Sequence, residues 1–94
     1  GRLRRRDNPP MITLLYFARL REALGTGREQ IDLPAGASTL GALRAHLSTR
    51  GEAWAREMAA GRNLRAAVNQ EVASPGTPVK DGDEVAFFPP VTGG

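Results

Sequence analysis

Apolar residues run along this chain in two rhythms. A period of two holds through Met11–Phe17, where Ile12, Leu14 and Tyr16 fall on one face of an expected strand and Thr13, Leu15 and Phe17 on the other. Both faces are largely apolar. A second strand is predicted over Arg28–Leu33, with Ile31 and Leu33 toward the core, and Pro34-Ala35-Gly36 stops it. The helical rhythm takes over at roughly 39–50, where Leu40, Leu43 and Leu47 recur at i, i+3 and i+7. Ser38 or Thr39 supplies its N-cap, and Gly51 is expected to close it after Arg50.

Shorter elements fill the intervals. Residues 18–24 have helical composition and stop at Gly25 and Gly27, which predicts a turn of helix or an ordered loop. Residues 52–60 read as a second short helix in which Trp54 and Met58, four apart, cover the edge of the core. A strand at Leu64–Val68, a turn at Asn69-Gln70 and a short paired segment at Glu71-Val72-Ala73 follow. After a loop at Ser74–Pro78 and a tight turn at Asp81-Gly82-Asp83, the last strand is Glu84–Phe88. The first and last strands are both strongly apolar, so they are expected to lie side by side at the centre of a sheet with one helix crossing its face. The fold class is α+β.

Length and composition narrow the chemistry. With 94 residues and no cysteine, the chain is expected to be one small domain without disulfides, thiolate metal sites or a cysteine nucleophile. His46 is the single histidine, so a histidine-based metal cluster is excluded as well. It flanks the leucine stripe with no Ser or carboxylate at a catalytic spacing, and an ordinary boundary position is expected. The Asp81-Gly82-Asp83 acids read as a turn rather than a cation loop.

The net charge of +3 comes from the first ten residues, which hold Arg2, Arg4, Arg5 and Arg6 against Asp7. The remaining 84 residues balance nine basic against nine acidic side chains. Residues 1–10 are therefore expected to be an unstructured basic extension or expression remnant ahead of the domain at 11–94. A nucleic-acid arm would need aromatic residues among the arginines or a basic stripe continuing into the domain, and the sequence has neither. No apolar run reaches a membrane-spanning length, and no export signal precedes Met11. The cytoplasm is the expected location, with no membrane and no nucleic-acid partner.

That leaves the last six residues, Pro89-Pro90-Val91-Thr92-Gly93-Gly94. None of their side chains can serve as acid, base, nucleophile or metal ligand, so chemistry located here must use the terminal carboxyl group. Prolines stiffen a segment toward polyproline II, and glycines without Cβ atoms pass through narrow channels. Six extended residues reach ~20 Å, enough to enter another protein's active site.

Two stretches carry a resemblance: Ala66-Ala67-Val68-Asn69-Gln70 and, above all, Asp81-Gly82-Asp83-Glu84-Val85-Ala86-Phe87-Phe88-Pro89-Pro90-Val91-Thr92-Gly93-Gly94. With Met11-Ile12, Tyr16-Phe17-Ala18 and Arg21-Glu22 at the start, residues 11–94 resemble the small subunit of molybdopterin synthase, a family of sulfur carriers with the ubiquitin-like β-grasp fold. Carriers for thiamine synthesis or tRNA thiolation share the Gly-Gly end and generally lack the Phe-Phe-Pro-Pro-Val-Thr stretch.

The resemblance implies a carrier that is not an enzyme on its own and binds no cofactor. An activating enzyme using ATP would adenylate the Gly94 carboxyl, with Gly93 beside it, and a sulfur donor would convert it to a thiocarboxylate. The large subunit would then receive the tail, in a heterotetramer, for sulfur transfer to a cyclic pyranopterin precursor. Phe17, Val72 and Phe88 are the implied docking residues, with Arg21 on their rim and Pro89, Pro90, Val91 and Thr92 leading into the partner. The alternatives are a carrier or ubiquitin-like modifier of another pathway, or a β-grasp interaction module whose tail does no chemistry.

Overall fold

A computed structural model of the chain describes residues 10–59 and 61–90. The expected basic extension and the last four residues therefore lie outside the described residues, apart from Pro10. Five strands form one mixed sheet: β1 (Met11–Tyr16), β2 (Arg28–Asp32), β3 (Arg65–Val68), β4 (Glu71–Val72) and β5 (Glu84–Phe88). Their order is β2-β1-β5-β3-β4. The first and last strands are indeed central neighbours, paired parallel with Leu14 opposite Val85 and Tyr16 opposite Phe87. The other pairings are antiparallel. Three helices complete the chain: α1 (Arg19–Leu24), α2 (Leu40–Leu47) and α3 (Glu52–Glu57).

The core lies between the sheet and α2. Ile12, Leu14, Tyr16, Val85 and Phe87 point into it from the central strands, meeting Leu40, Leu43 and Leu47 of the helix. Each fully buried side chain of this size contributes about 1.5–3 kcal/mol, so these eight positions dominate the apolar stabilisation. Thr39 is the N-cap of α2, its Oγ1 accepting from the Ala42 N–H at 3.2 Å. Leu20, from α1, and Met58, just past α3, are also fully buried.

The end of α2 departs from the expectation. The regular helix stops at Leu47, with Ser48 as the C-cap, and Gly51 is instead the N-cap of α3. Side chains account for this. The Ser48 and Thr49 hydroxyls donate to the carbonyls of Ala45 and His46, and the Thr49 N–H also bonds the His46 carbonyl at 3.0 Å, so the last turn closes without a glycine cap. The second short helix is also brief, ending at Glu57 rather than 60.

Two tight turns set the sheet's lower edge. Asn69 and Gln70 have φ of 51° and 71°, the two-residue turn that matches strand twist in the β3–β4 hairpin. At Asp81-Gly82-Asp83, Gly82 takes φ 87° and the Asp83 N–H returns to the Lys80 carbonyl. The acids here hold backbone and side-chain donors: Asp81 accepts from the Met11 N–H, while Asp83 accepts from Lys80 N–H and Asn69 Nδ2. Among the described residues no cluster of metal-ligating side chains occurs, and no helix is long and apolar enough to cross a membrane.

Candidate functional site

Because α2 covers one face of the sheet only, the alternation in the central strands leaves a second apolar face outside. Cross-strand register aligns Arg28, Leu15, Ala86, Ala67 and Val72 in one row across all five strands. Phe88 stands opposite Arg65 in the next row toward the end of β5. Phe17 follows β1 directly, its N–H donating to the Phe87 carbonyl at 3.2 Å. Leu15, Ala86 and Phe88 are half-buried, whereas Phe17 is 47% and Val72 76% exposed. Large apolar side chains in that state, adjacent across strands, mark an interaction surface.

The chain is shaped to hold Phe17 there. Ala18 adopts φ 54° and ψ −133°, a conformation that L residues rarely enter, and this sharp turn carries the chain from β1 straight into α1. Gly25, at φ 79°, ends α1 with its N–H on the Arg21 carbonyl. Arg21 lies exposed on α1 beside Gly27, where a Cβ would come within 3.1 Å of the Arg21 Nε. Gly27 thus gives the Arg21 side chain room to lie against β2.

β5 delivers the chain end to this surface. It is the central strand, bonded on both sides, and its last residue is Phe88. Pro89 and Pro90 follow, half-buried, so the segment leaves the sheet between the Phe17 and Arg65 neighbourhoods. Val91, Thr92, Gly93 and Gly94 lie outside the described residues. Register and chain order put Phe17, Phe88 and Val72 on the outer face, while the Arg21 side chain lies beside Gly27. Arg65, opposite Phe88, went unrecognised in the sequence, because only cross-strand register brings it to the patch.

The ionisable groups on the helix side do structural work. Tyr16 Oη donates to Glu29 at 2.9 Å, and Arg50 grips the same carboxylate with two N–H groups while lying 4.2 Å over the Trp54 ring. Burial, then the Glu29 bond, push the Tyr16 hydroxyl well above its ordinary pKa. Arg50 holds the Glu29 carboxyl below its usual range. Glu57 is buried as well; desolvation works against its charge, but hydrogen bonds from Arg62 and Arg19 outweigh it and its pKa is lowered. His46 is exposed on α2. An apolar cavity of about 330 Å³ opens between α2 and the β3–β4 edge, lined by Leu40, Leu64, Ala66 and Phe87 and reaching Arg65 and Val72 at that edge.

Comparison with known proteins decides the relationship. Residues 14–94 match the model of the ThiS family. Over 86 residues the chain is 48% identical to the molybdopterin synthase sulfur carrier subunit of Escherichia coli (strain K12), covering 89% of this chain and all of that protein. The chain belongs to the ThiS family.

Solved structures related to the family agree on the β-grasp architecture. A protein described as molybdopterin converting factor, subunit 1, from Pyrococcus furiosus superposes with a TM-score of 0.71 at 29% identity, over 87% of this chain and 99% of that one. Small archaeal modifier protein 1 of Haloferax volcanii superposes with a TM-score of 0.61 at 28% identity, again over 87% of this chain and 99% of the other. The β-grasp fold is thus shared with a protein described as a molybdopterin converting factor subunit and with a small archaeal modifier protein.

Proposed function

We propose that this chain is the sulfur carrier subunit of a molybdopterin synthase, a component of molybdenum cofactor biosynthesis rather than an enzyme by itself. The observation that carries the reading is the end-to-end match to a carrier subunit at 48% identity. The apolar face at the root of the tail, with Phe17, Val72 and Phe88, supports it by supplying a docking surface beside the segment that carries the sulfur.

The Gly94 carboxylate is the reacting group. Carboxylates are poor electrophiles, so an activating enzyme transfers AMP from ATP to a carboxylate oxygen and releases pyrophosphate. A sulfur donor then attacks the acyl carbon and expels AMP, leaving a thiocarboxylate. Its sulfur is a competent nucleophile, and in the large subunit it attacks an electrophilic carbon of the cyclic pyranopterin precursor, forming a C–S bond as that carbon's bond to an oxygen leaving group breaks. Water cleaves the resulting acyl–sulfur bond, which leaves the sulfur on the pterin and returns the Gly94 carboxylate. Two deliveries build a dithiolene, matching a heterotetramer with two carriers. Acid and base groups belong to the partners, and ATP is bound by the activating enzyme. Gly93 keeps the approach slim, while Pro89, Pro90, Val91 and Thr92 span the distance from the docking face, and Arg21 contributes a polar contact at its rim. This pathway places the carrier in the cytoplasm.

Intact mass spectrometry after incubation with ATP, an activating enzyme and a sulfur source tests the proposal. A gain of about 16 Da, one oxygen replaced by sulfur, is expected on the full chain and not on one lacking Gly94. No gain would sink the carrier reading, and attachment to a lysine would favour a modifier.

A further inference from the structure

Apart from Arg44, which donates to backbone carbonyls, the arginines among the described residues divide into two sets. On the helix side, Arg50 is neutralised by Glu29, and Arg19, Arg56 and Arg62 converge on Glu57. Arg21, Arg28 and Arg65 have no carboxylate within ion-pair distance among the described residues, and all three are exposed. Arg28 and Arg65 border the outer apolar face: Arg28 is level with Leu15 across the β1–β2 pairing, and Arg65 faces Phe88.

The acids of that face lie at its other end. Asp32, opposite Met11, and Glu84, opposite Thr13, have the alternation of the outer surface but sit away from the end of β5. The face is therefore polarised, with uncompensated cations around the tail root and acids at the far edge.

A guanidinium next to desolvating apolar surface is unfavourable to bury without a counter-charge. Any partner that closes over Phe17 and Phe88 must leave Arg28 and Arg65 at a wet rim or meet them with carboxylates. Two like charges flanking one patch also attract an anionic surface before contact, at distances where single contacts contribute nothing. Resting on the carrier reading above, we infer that the large-subunit surface receiving the tail is rimmed by carboxylates, and that Arg28 and Arg65 steer and orient its docking. Neither side chain makes a hydrogen bond or ion pair among the described residues, so replacing them removes no such contact of the fold.

The test is stopped-flow association of the full chain with its large subunit between about 0.1 M and about 1 M NaCl, which shortens the screening length from ~10 Å to ~3 Å. Wild-type association is expected to slow by about tenfold or more across this range. The R28Q/R65Q variant should associate about five- to tenfold more slowly at low salt and be nearly insensitive to salt. R65E should be slower still at low salt, with thermal melts confirming that both variants fold. Phe88→Ala should instead speed dissociation and keep the wild-type salt dependence. If R28Q/R65Q associates within about twofold of wild type with the same salt slope, the steering role is wrong while the carrier reading stands. If no complex forms, the inference is overturned, and the mass gain at Gly94 shows independently whether the carrier chemistry fails with it.

Discussion

Phe88 combines two requirements in one side chain. It ends the central strand, so its backbone is fixed by β1 and β3, yet its ring lies on the face away from α2, half-buried and outside the core. Phe88→Ala should weaken binding to the large subunit by about 2 kcal/mol or more, the scale of a central aromatic anchor. Unfolding stability should fall by far less, since Phe87 and not Phe88 belongs to the core. Calorimetric titration beside a denaturant melt separates the two effects, and equal losses in both would place Phe88 in the fold instead of the interface. Gln70 offers the opposite case, a residue whose backbone is unfavourable for its type. At φ 71° it occupies a conformation that costs an L residue roughly 1 kcal/mol and costs glycine almost nothing. Gln70→Gly should therefore raise the melting temperature by a few degrees, and a lower value would mean that the Gln70 side chain makes a compensating contact.

At the scale of elements, the segment that follows α3 is tied to α2 by one long side chain. Arg44 of α2 donates through Nε to the Met58 carbonyl and through Nη2 to the carbonyls of Ala59 and Arg62. Its environment disfavours the charge through burial, so the guanidinium is retained against that penalty. Arg44→Ala leaves the Met58 carbonyl without its donor and should destabilise the domain by about 1–3 kcal/mol. Hydrogen exchange should quicken most at the α3 amides Ala55 and Met58, and uniform quickening would mean that α3 opens only with the whole domain. Arg44→Lys should recover little, because an ammonium cannot reproduce the planar fork. This tether also explains what the sequence could and could not disclose. The pairing of β1 with β5 and their two-faced character were legible, because a period of two fixes every side chain once the strand is recognised. The outward positions of Leu15, Phe17, Ala86 and Phe88 followed directly. The end of α2 was not legible: Ser48 and Thr49 satisfy its carbonyls locally, a competition that periodicity does not register. Nor was the burial of Leu20 and Glu57, which depends on α1 and α3 packing against each other through the Arg19–Glu57 ion pair at 3.0 Å. Arg65 looked like a strand residue of no consequence until the antiparallel register set it opposite Phe88.

For the whole molecule, the ion pairs at half-buried Glu29 and buried Glu57, with the buried Tyr16 hydroxyl, translate into a stability that depends on pH at both ends of the scale. Glu29 and Glu57 have folded-state pKa values below their ordinary ones, so the native state favours their ionised forms. Their contribution is present above the ordinary carboxylate range of ~4.3 and is lost as pH falls through it toward the lowered folded values. Tyr16 has the opposite sign. Its pKa is raised by burial and by the Glu29 bond, so its contribution is complete below the ordinary phenol pKa of ~10 and declines as pH rises past that point. The melting temperature should then form a plateau bounded by an acid fall and an alkaline fall. Tyr16→Phe isolates the second. Phenylalanine keeps the stacking on Phe87, whose ring centroid lies 6.2 Å away, and the edge contact with Trp54 at 5.4 Å. It removes only the hydroxyl that titrates and donates to Glu29, so the variant should lose about 1–2 kcal/mol near neutral pH. Above pH ~10 its stability curve should be flatter than the wild type's, and the two should converge. Acid unfolding should persist in the variant, because Arg50 still holds Glu29, and Arg19 and Arg62 still hold Glu57. Parallel wild-type and variant curves across the alkaline range would show that Tyr16 does not resist ionisation in the folded state.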